Sequence, residues 1–432
     1  MLFKNIAILN EDFEVTFDNY LSVEGECISY IGKNRPEGSF DHEYDGNGKL
    51  LIPGFYNCHA HSPMTLMRGY GENMNLADWL NYKIYPFEAQ LKPRDVYYAS
   101  MLANAESLSN GIVSTSDMYY FCDEIVRAFA DAGSKLNVSR SMLSFDEDED
   151  IYNMQSYMEA KQLFSDYDGA FDDRIRVDLS LHAEYTSTPK LVKVLGELSQ
   201  ELNLPVHVHV SETQSEHDEC KERRNGKTPV KYFSDLGLFE RGGVAAHCTW
   251  IEEEDASILK EKNVTIASCP VSNMKLASGV MNAPMVIEKG PNIALGTDSV
   301  ASNNSLSILE EIKVFAIAAK GKYMDPTLIT PKMALNSATR AGAIAQNRLN
   351  CGVIMQGSKA DLVVMDISGP AMNPIHDIEN NIVYSASNKE ILMTMIDGKI
   401  LYENGEYKTI DIEKTIYEVN ASTKRILGEM NE

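Results

Sequence analysis

Two pairs of histidines in the sequence have a spacing that suits a metal ion. His59 and His61 follow one short apolar run, and His207 and His209 alternate with valines in another. In an extended strand, residues i and i+2 point to the same face, so the two imidazoles of each pair can face one point. A single histidine is more often a hydrogen-bonded structural residue, whereas histidines at this spacing indicate a candidate metal site.

Other groups that could serve such a site stand where further short apolar runs end. His247 and Asp298 each close a run of this kind, and Glu212 comes three residues after His209. Catalytic zinc sites take three or four His and carboxylate ligands and keep a position for water. The metal lowers the pKa of that water to about 7, which makes hydroxide available at neutral pH.

This donor set predicts a hydrolytic metal centre. The candidate ligands are His59, His61, His209 and Asp298. A carboxyl group must also move protons, and Glu212 is the candidate general acid/base. We expect His247 to orient the hydroxide through a hydrogen bond.

The spacing alone leaves alternatives open for several of these residues. His207 shares a strand face with His209, so either or both of them could bind the metal. Glu212 could be an ordinary surface acid, which is the commoner context of a glutamate. Asp298 could simply cap the helix that follows it.

The remaining histidines and the cysteines are expected to be structural or superficial. Seven cysteines are odd in number and scattered, with no C-x-x-C motif, which fits reduced thiols. Cys58 adjoins the first histidine pair but should point to the opposite face of its strand. His42, His217 and His376 lie in polar stretches, and we expect them on the surface.

The elements that must hold the candidate residues recur as strand–helix units. Eight short β runs, the first ending at Tyr56 and the last reaching Gly296, are each followed by a helix or a loop. Because candidate residues stand at the ends of these runs, the pattern predicts an α/β fold, a (β/α)8 TIM barrel that presents them at its carboxyl-end face. A helix around Leu76 to Leu91 contains Pro86, which predicts a break there.

Both ends of the chain have a β pattern of their own. Residues 1–52 alternate apolar and polar side chains between turn signals, and a β pattern returns after Asn350, ahead of a final helix over Ile412–Glu429. These segments predict a small β-sandwich domain built from both chain ends beside the barrel. The predicted limits are 1–52 and 350–432 for the sandwich and its C-terminal helix, and 53–349 for the barrel.

Composition excludes several classes of partner. The chain has 432 residues, 44% hydrophobic and 24% charged, which allows one large core and a smaller one. Its net charge of -24 argues against nucleic acid and anionic membrane surfaces, because both attract basic patches. No apolar run approaches the roughly 18 residues of a membrane span, and the N-terminus has a strand pattern where a signal peptide would stand. We therefore expect a cytoplasmic protein.

Several motifs together resemble a known family. They are Pro53–His61, Ala246–Cys248, Pro270–Leu276, Gly296–Asn304 and Gly357–Val364. Over essentially its whole length the chain resembles the amidohydrolase superfamily. Within that superfamily it is most similar to the deaminases of methylthioadenosine and S-adenosylhomocysteine and to the related chlorohydrolases.

The resemblance implies one divalent metal, usually zinc, with Fe2+, Mn2+ or Ni2+ as alternatives. It implies His59, His61, His209 and Asp298 as the ligands. It also implies that Glu212 shuttles protons, that His247 lies beside the attacking water, and that His207 is structural. Binuclear members carry a carboxylated lysine at the end of the fourth strand, where this chain has Leu181 and His182, so the resemblance favours a mononuclear centre.

The resemblance also implies substrate contacts and a reaction. Trp79, Glu88 and His182 match substrate-binding positions, with Glu88 reaching the ribose hydroxyls. The implied reaction is the hydrolytic deamination of a 5′-substituted adenosine (5′-deoxyadenosine, methylthioadenosine, adenosine or S-adenosylhomocysteine) to the inosine analogue and ammonia. Homocysteine-accepting members carry arginines after the third strand, whereas here Arg140 precedes an acidic run at 146–150, which favours neutral substituents because the run would repel a carboxylate.

Two rival functions are consistent with the same motifs. One is a guanine, cytosine or triazine aminohydrolase or chlorohydrolase of the same superfamily. The other is a barrel that has lost catalysis and serves as an assembly subunit, which the complete set of metal-site residues disfavours. The expected partner is a small nucleoside or purine, and the resemblance allows a homo-oligomer.

Overall fold

The computed structural model describes residues 1–74 and 76–430. In that part of the chain the strands are β1 (Leu2–Leu9), β2 (Val15–Glu24), β3 (Cys27–Gly32), β4 (Glu43–Asp45), β5 (Lys49–Pro53), β6 (Phe55–Ala60), β7 (Ile112–Tyr119), β8 (Lys135–Met142), β9 (Ile175–Val177), β10 (Leu179–Leu181), β11 (Val206–Val210), β12 (Gly243–His247), β13 (Val264–Ser268), β14 (Ile293–Leu295), β15 (Leu362–Asp366), β16 (Ile391–Ile396), β17 (Lys399–Glu403) and β18 (Glu406–Tyr407).

The described α-helices are α1 (Leu76–Trp79), α2 (Tyr85–Glu88), α3 (Pro93–Ser109), α4 (Cys122–Ala132), α5 (Gln155–Tyr167), α6 (Ala170–Asp173), α7 (Pro189–Leu202), α8 (Gln214–Arg223), α9 (Pro229–Asp235), α10 (Glu253–Glu261), α11 (Pro270–Lys275), α12 (Ala283–Lys289), α13 (Ile308–Tyr323), α14 (Pro331–Ala338), α15 (Arg340–Ala345), α16 (Ile378–Tyr384) and α17 (Ile412–Glu429). Short 3₁₀ turns span Ser62–Met67, Ile151–Asn153, Glu184–Thr186, Pro370–Met372 and Asn388–Glu390, and a π-helical turn spans Leu80–Ile84.

Eight parallel strands form a barrel, in the order β6-β7-β8-β10-β11-β12-β13-β14, with β9 paired beside β8. The first and last strands meet where the Asp298 N–H donates to the His59 carbonyl over 2.9 Å. Gly296 permits this closure, since a Cβ there would lie 2.8 Å from the His59 backbone nitrogen. The predicted (β/α)8 barrel is confirmed. Its closure brings two candidate ligands, His59 and Asp298, close together.

Strands from both chain ends form a second sheet of nine strands. Its order is β18-β17-β16-β15-β5-β1-β2-β3, with β4 beside β1. Alternation along β5 divides its side chains: Leu50 and Ile52 join the main core, which lies between the barrel strands and their helices, and Leu51 joins a separate core of the second sheet. The predicted extra domain from the two chain ends is confirmed, and its limits at residues 52 and 349 stay a prediction.

Local departures from the predicted elements occur at Pro86 and Asp178. The expected helix from Leu76 to Leu91 consists of α1, the π-helical turn and α2, with Pro86 in the first turn of α2, where its missing N–H disturbs the helix least. One predicted strand is divided at Asp178 into β9 and β10. Among the described residues no helix has the length and apolarity that crossing a membrane requires.

A buried ion network joins the second sheet to the barrel. Lys135, at the start of β8, is 3% exposed, and its Nζ lies 2.5 Å from Asp361 Oδ2 and 2.8 Å from Asp397 Oδ1. The Tyr56 hydroxyl, on β6, also donates to Asp361 over 3.1 Å. Because removing a charge from water is costly unless it is paired, each member of this network depends on the others.

Lys135→Met should therefore destabilise the protein strongly. It leaves Asp361 and Asp397 as buried carboxylates without their shared cation, and such a break costs about 3–5 kcal/mol. Urea unfolding would measure the change in the free energy of unfolding. The matched control is Lys332→Met, whose exposed pair with Glu14 spans 2.9 Å and should cost about 0–1 kcal/mol. Equal losses in the two variants would contradict the structural role of the network.

Candidate metal centre

The four predicted ligands converge at the carboxyl-end face of the barrel. His61 Nε2 lies 3.4 Å from Asp298 Oδ1 and 3.4 Å from His209 Nε2, and His59 Nε2 lies 3.7 Å from Asp298 Oδ1. A tetrahedral ion with bonds of about 2.1 Å would place its ligand atoms roughly 3.4 Å apart. The separations therefore match ligands arranged around one small cation.

Each candidate imidazole is oriented by a hydrogen bond at its outer nitrogen. His61 Nδ1–H donates to the Met118 carbonyl over 2.7 Å, and His209 Nδ1–H donates to the His182 carbonyl over 2.7 Å. His59 Nδ1 hydrogen-bonds His207 Nε2 over 2.9 Å. Such bonds set the tautomer and leave Nε2 with its lone pair toward the centre. His207 thus lies behind His59.

An unpartnered buried nitrogen tests whether these residues fit a metal. His59 Nε2 is inaccessible to solvent and has no hydrogen-bond partner among the described residues. A buried polar atom in this state costs free energy unless something binds it. Burial, together with the neighbouring imidazoles, lowers the pKa of His59 well below its usual value, so the ring is neutral and can offer a lone pair. The residues present therefore fit a divalent metal ion.

Asp298 is held in place by two hydroxyls and its own turn. Its Oδ2 accepts hydrogen bonds from Ser272 Oγ at 2.6 Å and Ser302 Oγ at 2.8 Å, and its Oδ1 accepts one from the Ser299 N–H at 2.7 Å. Its φ of 59° lies in the left-handed region, where non-glycine residues concentrate at functional sites. Burial is the largest influence and opposes its ionisation, but the neighbouring His61 and His247 rings and the Ser272 hydroxyl together outweigh burial and keep the pKa of Asp298 below its usual range.

Glu212 and His247 stand together beside this cluster. Glu212 is buried, its Oε1 accepts a hydrogen bond from Ser278 Oγ at 3.1 Å, and its Oε2 lies 3.8 Å from His247 Nε2. His247 Nδ1–H donates to Asn273 Oδ1 over 2.9 Å. Burial raises the pKa of Glu212, partly opposed by His247, which suits a carboxyl group that must take up and release a proton.

Several partners of these groups were not identified from sequence. Asn273 lies inside the motif Pro270–Leu276, and that motif is the sequence feature from which its role could have been found. Glu216 accepts the backbone N–H of Glu212 over 2.7 Å and follows it by one helical turn. Ser278 has no motif that would have revealed it.

A cavity of about 660 Å³, counting its open mouth, leads from the centre to the surface. It brings together the centre and the three predicted substrate contacts, and its wall includes His61, Trp79, Glu88, His182, His209, Glu212, His247 and Asp298. Tyrosine, leucine and isoleucine side chains fill the rest of the wall, so the cavity suits a flat, mostly apolar ring with a few polar atoms.

The three predicted substrate contacts differ in their surroundings. Glu88 is half-buried and accepts a hydrogen bond from the Tyr119 hydroxyl at 2.6 Å. Burial raises the pKa of Glu88 to about 7 despite that bond. His182 Nδ1 lies 2.9 Å from Thr186 Oγ1, and burial lowers the pKa of His182 to about 4. Trp79 is buried and packs into the main core while it also faces the cavity.

Four residues expected to lie outside the site are accounted for. Cys58 points away from the centre, with Sγ 3.7 Å from the Gly342 carbonyl. His42 and His376 are exposed as expected. The expectation of a surface position was wrong for His217, which is buried. Its ring bridges Ser211 Oγ at 3.1 Å and Glu252 at 3.3 Å, so both of its nitrogens have partners.

Comparison with known proteins shows the class of hydrolase to which this barrel belongs. The chain belongs to the amidohydrolase family, whose model matches residues 50–401, and the predicted membership is confirmed. It is 37% identical over 434 residues to a 5-methylthioadenosine/S-adenosylhomocysteine deaminase of Syntrophomonas wolfei, covering 99% of this chain and 100% of that protein.

Two further proteins resemble the chain over nearly its full length. It is 35% identical over 433 residues to a 5′-deoxyadenosine deaminase of Methanosarcina acetivorans, covering 100% of this chain and 99% of that protein. A crystal structure of an adenosine deaminase from Xanthomonas campestris with bound zinc superposes with a TM-score of 0.93 at 28% identity, covering 99% of this chain and 98% of that one.

The position of His207 generates a test of the centre. His207→Ala removes the partner of His59 Nδ1, and loss of such a partner typically weakens metal binding about 10–100-fold. Competition with a zinc chelator would measure the affinity, and His207→Gln, which keeps a polar group, should lose less. His376→Ala is the control, because that residue is exposed. Unchanged affinity in His207→Ala would contradict the role given to this hydrogen bond.

Proposed function

We propose that this protein is a zinc-dependent hydrolytic deaminase that converts a 5′-substituted adenosine to the inosine analogue and ammonia. The observation that carries the proposal is the buried carboxyl group of Glu212 beside a His and Asp cluster at the base of a cavity with Glu88 in its wall. The full-length similarity to proteins named as methylthioadenosine/S-adenosylhomocysteine and 5′-deoxyadenosine deaminases supports the nucleoside as substrate.

The proposed ligands are His59, His61, His209 and Asp298. A divalent metal held by them supplies a water that is nucleophilic at neutral pH. Zinc is the proposed metal, since neutral imidazoles and one carboxylate form the donor set of catalytic zinc sites.

Glu212 moves the protons in the proposed reaction. Water adds to C6 of the purine, and Glu212 takes one proton from it and delivers that proton to the ring nitrogen N1. The remaining hydroxyl proton then passes to the exocyclic amine, which leaves as ammonia while C6 becomes a carbonyl carbon. His247 and Asp298 flank the position of the reacting carbon and hold its oxygen and amine substituents in place.

The remaining wall residues hold the nucleoside. Glu88 is proposed to accept hydrogen bonds from the ribose hydroxyls through the oxygen that Tyr119 leaves free, because Tyr119 occupies the other one. His182 and Trp79 contact the substrate from the same wall. A guanine or triazine ring carries no ribose, so a carboxylate in this position favours a nucleoside over those rings.

Glu212→Gln should abolish turnover and keep the metal. The amide has nearly the same shape but cannot accept and release a proton, and positioned acid/base groups contribute about 10²–10⁴-fold to rate. Steady-state kinetics with methylthioadenosine and metal analysis of the purified variant would measure both quantities. Glu147→Gln, the same change at an exposed glutamate, is the control. A Glu212→Gln variant of normal rate would exclude the proton role of this residue.

Free adenine should be a much poorer substrate than its nucleosides. The zinc-loaded protein would be given adenosine, 5′-deoxyadenosine, methylthioadenosine, S-adenosylhomocysteine and adenine, with the absorbance change from adenine to hypoxanthine as the readout. Glu88→Gln should lower kcat/KM for the nucleosides by about tenfold or more, because a charged hydrogen bond to the ribose is worth about 1.5–3 kcal/mol. Turnover of guanine or a triazine, with no nucleoside turned over, would overturn the substrate and leave the centre intact.

A further inference from the structure

A second cavity adjoins the one that holds the metal centre. It has a volume of about 960 Å³, counting its open mouth, and lies against β8 and α5. Glu88 and Tyr120 belong to the walls of both cavities. The two cavities therefore adjoin at these two side chains, and the side cavity is the neighbouring space for a substituent of a molecule held against Glu88.

The charges around the side cavity are unequal. Asp123 and Glu159 contribute two carboxylates to its wall, Glu88 contributes a carboxyl group whose pKa burial raises to about 7, and Arg140 contributes one guanidinium. The acidic side chains at positions 146–150 are absent from the described walls of both cavities. The charged side chains that line the side cavity lie on α2, α4, β8 and α5.

Arg140 is already engaged by the protein. Its Nε donates to Glu159 Oε2 over 2.5 Å, and its Nη1 donates to the Ser141 carbonyl over 2.5 Å. Its guanidinium carbon lies 5.2 Å from the centre of the Tyr120 ring. The other oxygen of Glu159 accepts a hydrogen bond from Gln155 Nε2 at 2.7 Å. Both oxygens of Glu159 are therefore occupied, and the carboxylate is fixed where it neutralises Arg140.

We propose that the side cavity receives the 5′ substituent of the nucleoside, and that Glu159 sets its charge preference by neutralising Arg140. This inference rests on the proposed function. A substituent that ends in a carboxylate meets a net negative wall and an arginine that is already paired. A substituent that ends in an ammonium group, or a neutral one, meets no such opposition.

The charge balance sets the size of the expected effect. Unit charges a few ångströms apart near a protein surface interact strongly enough to change binding, and screening by solvent reduces this effect. We therefore expect about tenfold discrimination between an ammonium group and a carboxylate on otherwise similar substituents.

The test uses three thioether nucleosides and the zinc-loaded full chain. 5′-Methylthioadenosine is the neutral reference, and the 2-aminoethylthio and carboxymethylthio analogues carry opposite charges. In the wild-type protein, kcat/KM for the carboxylate should be about tenfold below that for the amine. Glu159→Gln frees Arg140 and makes the cavity less negative, so this ratio should rise about tenfold in favour of the carboxylate, with the rate of the methylthio substrate measured as the neutral reference in each variant.

Two variants and a binding measurement complete the test. Glu147→Gln, in the acidic run away from both cavities, should leave the ratio unchanged, and Arg140→Gln in the Glu159→Gln background should remove the gain. Calorimetric Kd values of the matching inosine products give the same comparison without turnover. Equal use of amine and carboxylate, or an unchanged ratio in Glu159→Gln, would overturn this proposal while methylthioadenosine turnover upheld the proposed function. Failure of every nucleoside to react would overturn both.

Discussion

The structure depends on the burial of several imidazoles and one carboxylate around a single point. Each candidate ligand is oriented by a neighbour on another strand: Met118 for His61, the His182 carbonyl for His209, and His207 for His59. These partners aim the rings inward and satisfy their outer nitrogens, which a buried polar cluster requires. A barrel that did not close would lose them together.

Closure therefore links the site to the rest of the fold. The Asp298 N–H bonds to the His59 carbonyl, so the last strand and the first strand meet at the site itself. β5, which immediately precedes the first barrel strand, has side chains in both the barrel core and the core of the second sheet. The ion network around Lys135 fixes the second sheet to the amino end of β8, away from the carboxyl-end face where the site lies. Contacts with both domains therefore fix the position of His59, in β6, and of His61, just after it.

The charge of the chain and the charge of its cavities are separate matters. A net charge of -24 favours solubility and argues against polyanionic partners. Inside the cavities, however, single pairs decide the local balance, as Arg140 and Glu159 do beside Glu88. The run of acids at 146–150 is conspicuous in the sequence but lies away from the described cavity walls. Proximity in sequence to Arg140 was a poor guide here, because the chain between them leaves the barrel.

The sequence by itself determined the barrel, the extra domain from the chain ends and the identity of the candidate centre. Strand alternation and the recurring strand–helix units are local patterns, so His59, His61, His209, Glu212, His247 and Asp298 could be named before any contact was known. Only the tertiary structure decided which side chains meet across different elements. The examples are His207 behind His59, Asn273 behind His247, the burial of His217, and Glu159 against Arg140. These pairs join residues far apart in the chain or on different elements, and their geometry follows from barrel closure and helix packing, which no local pattern specifies.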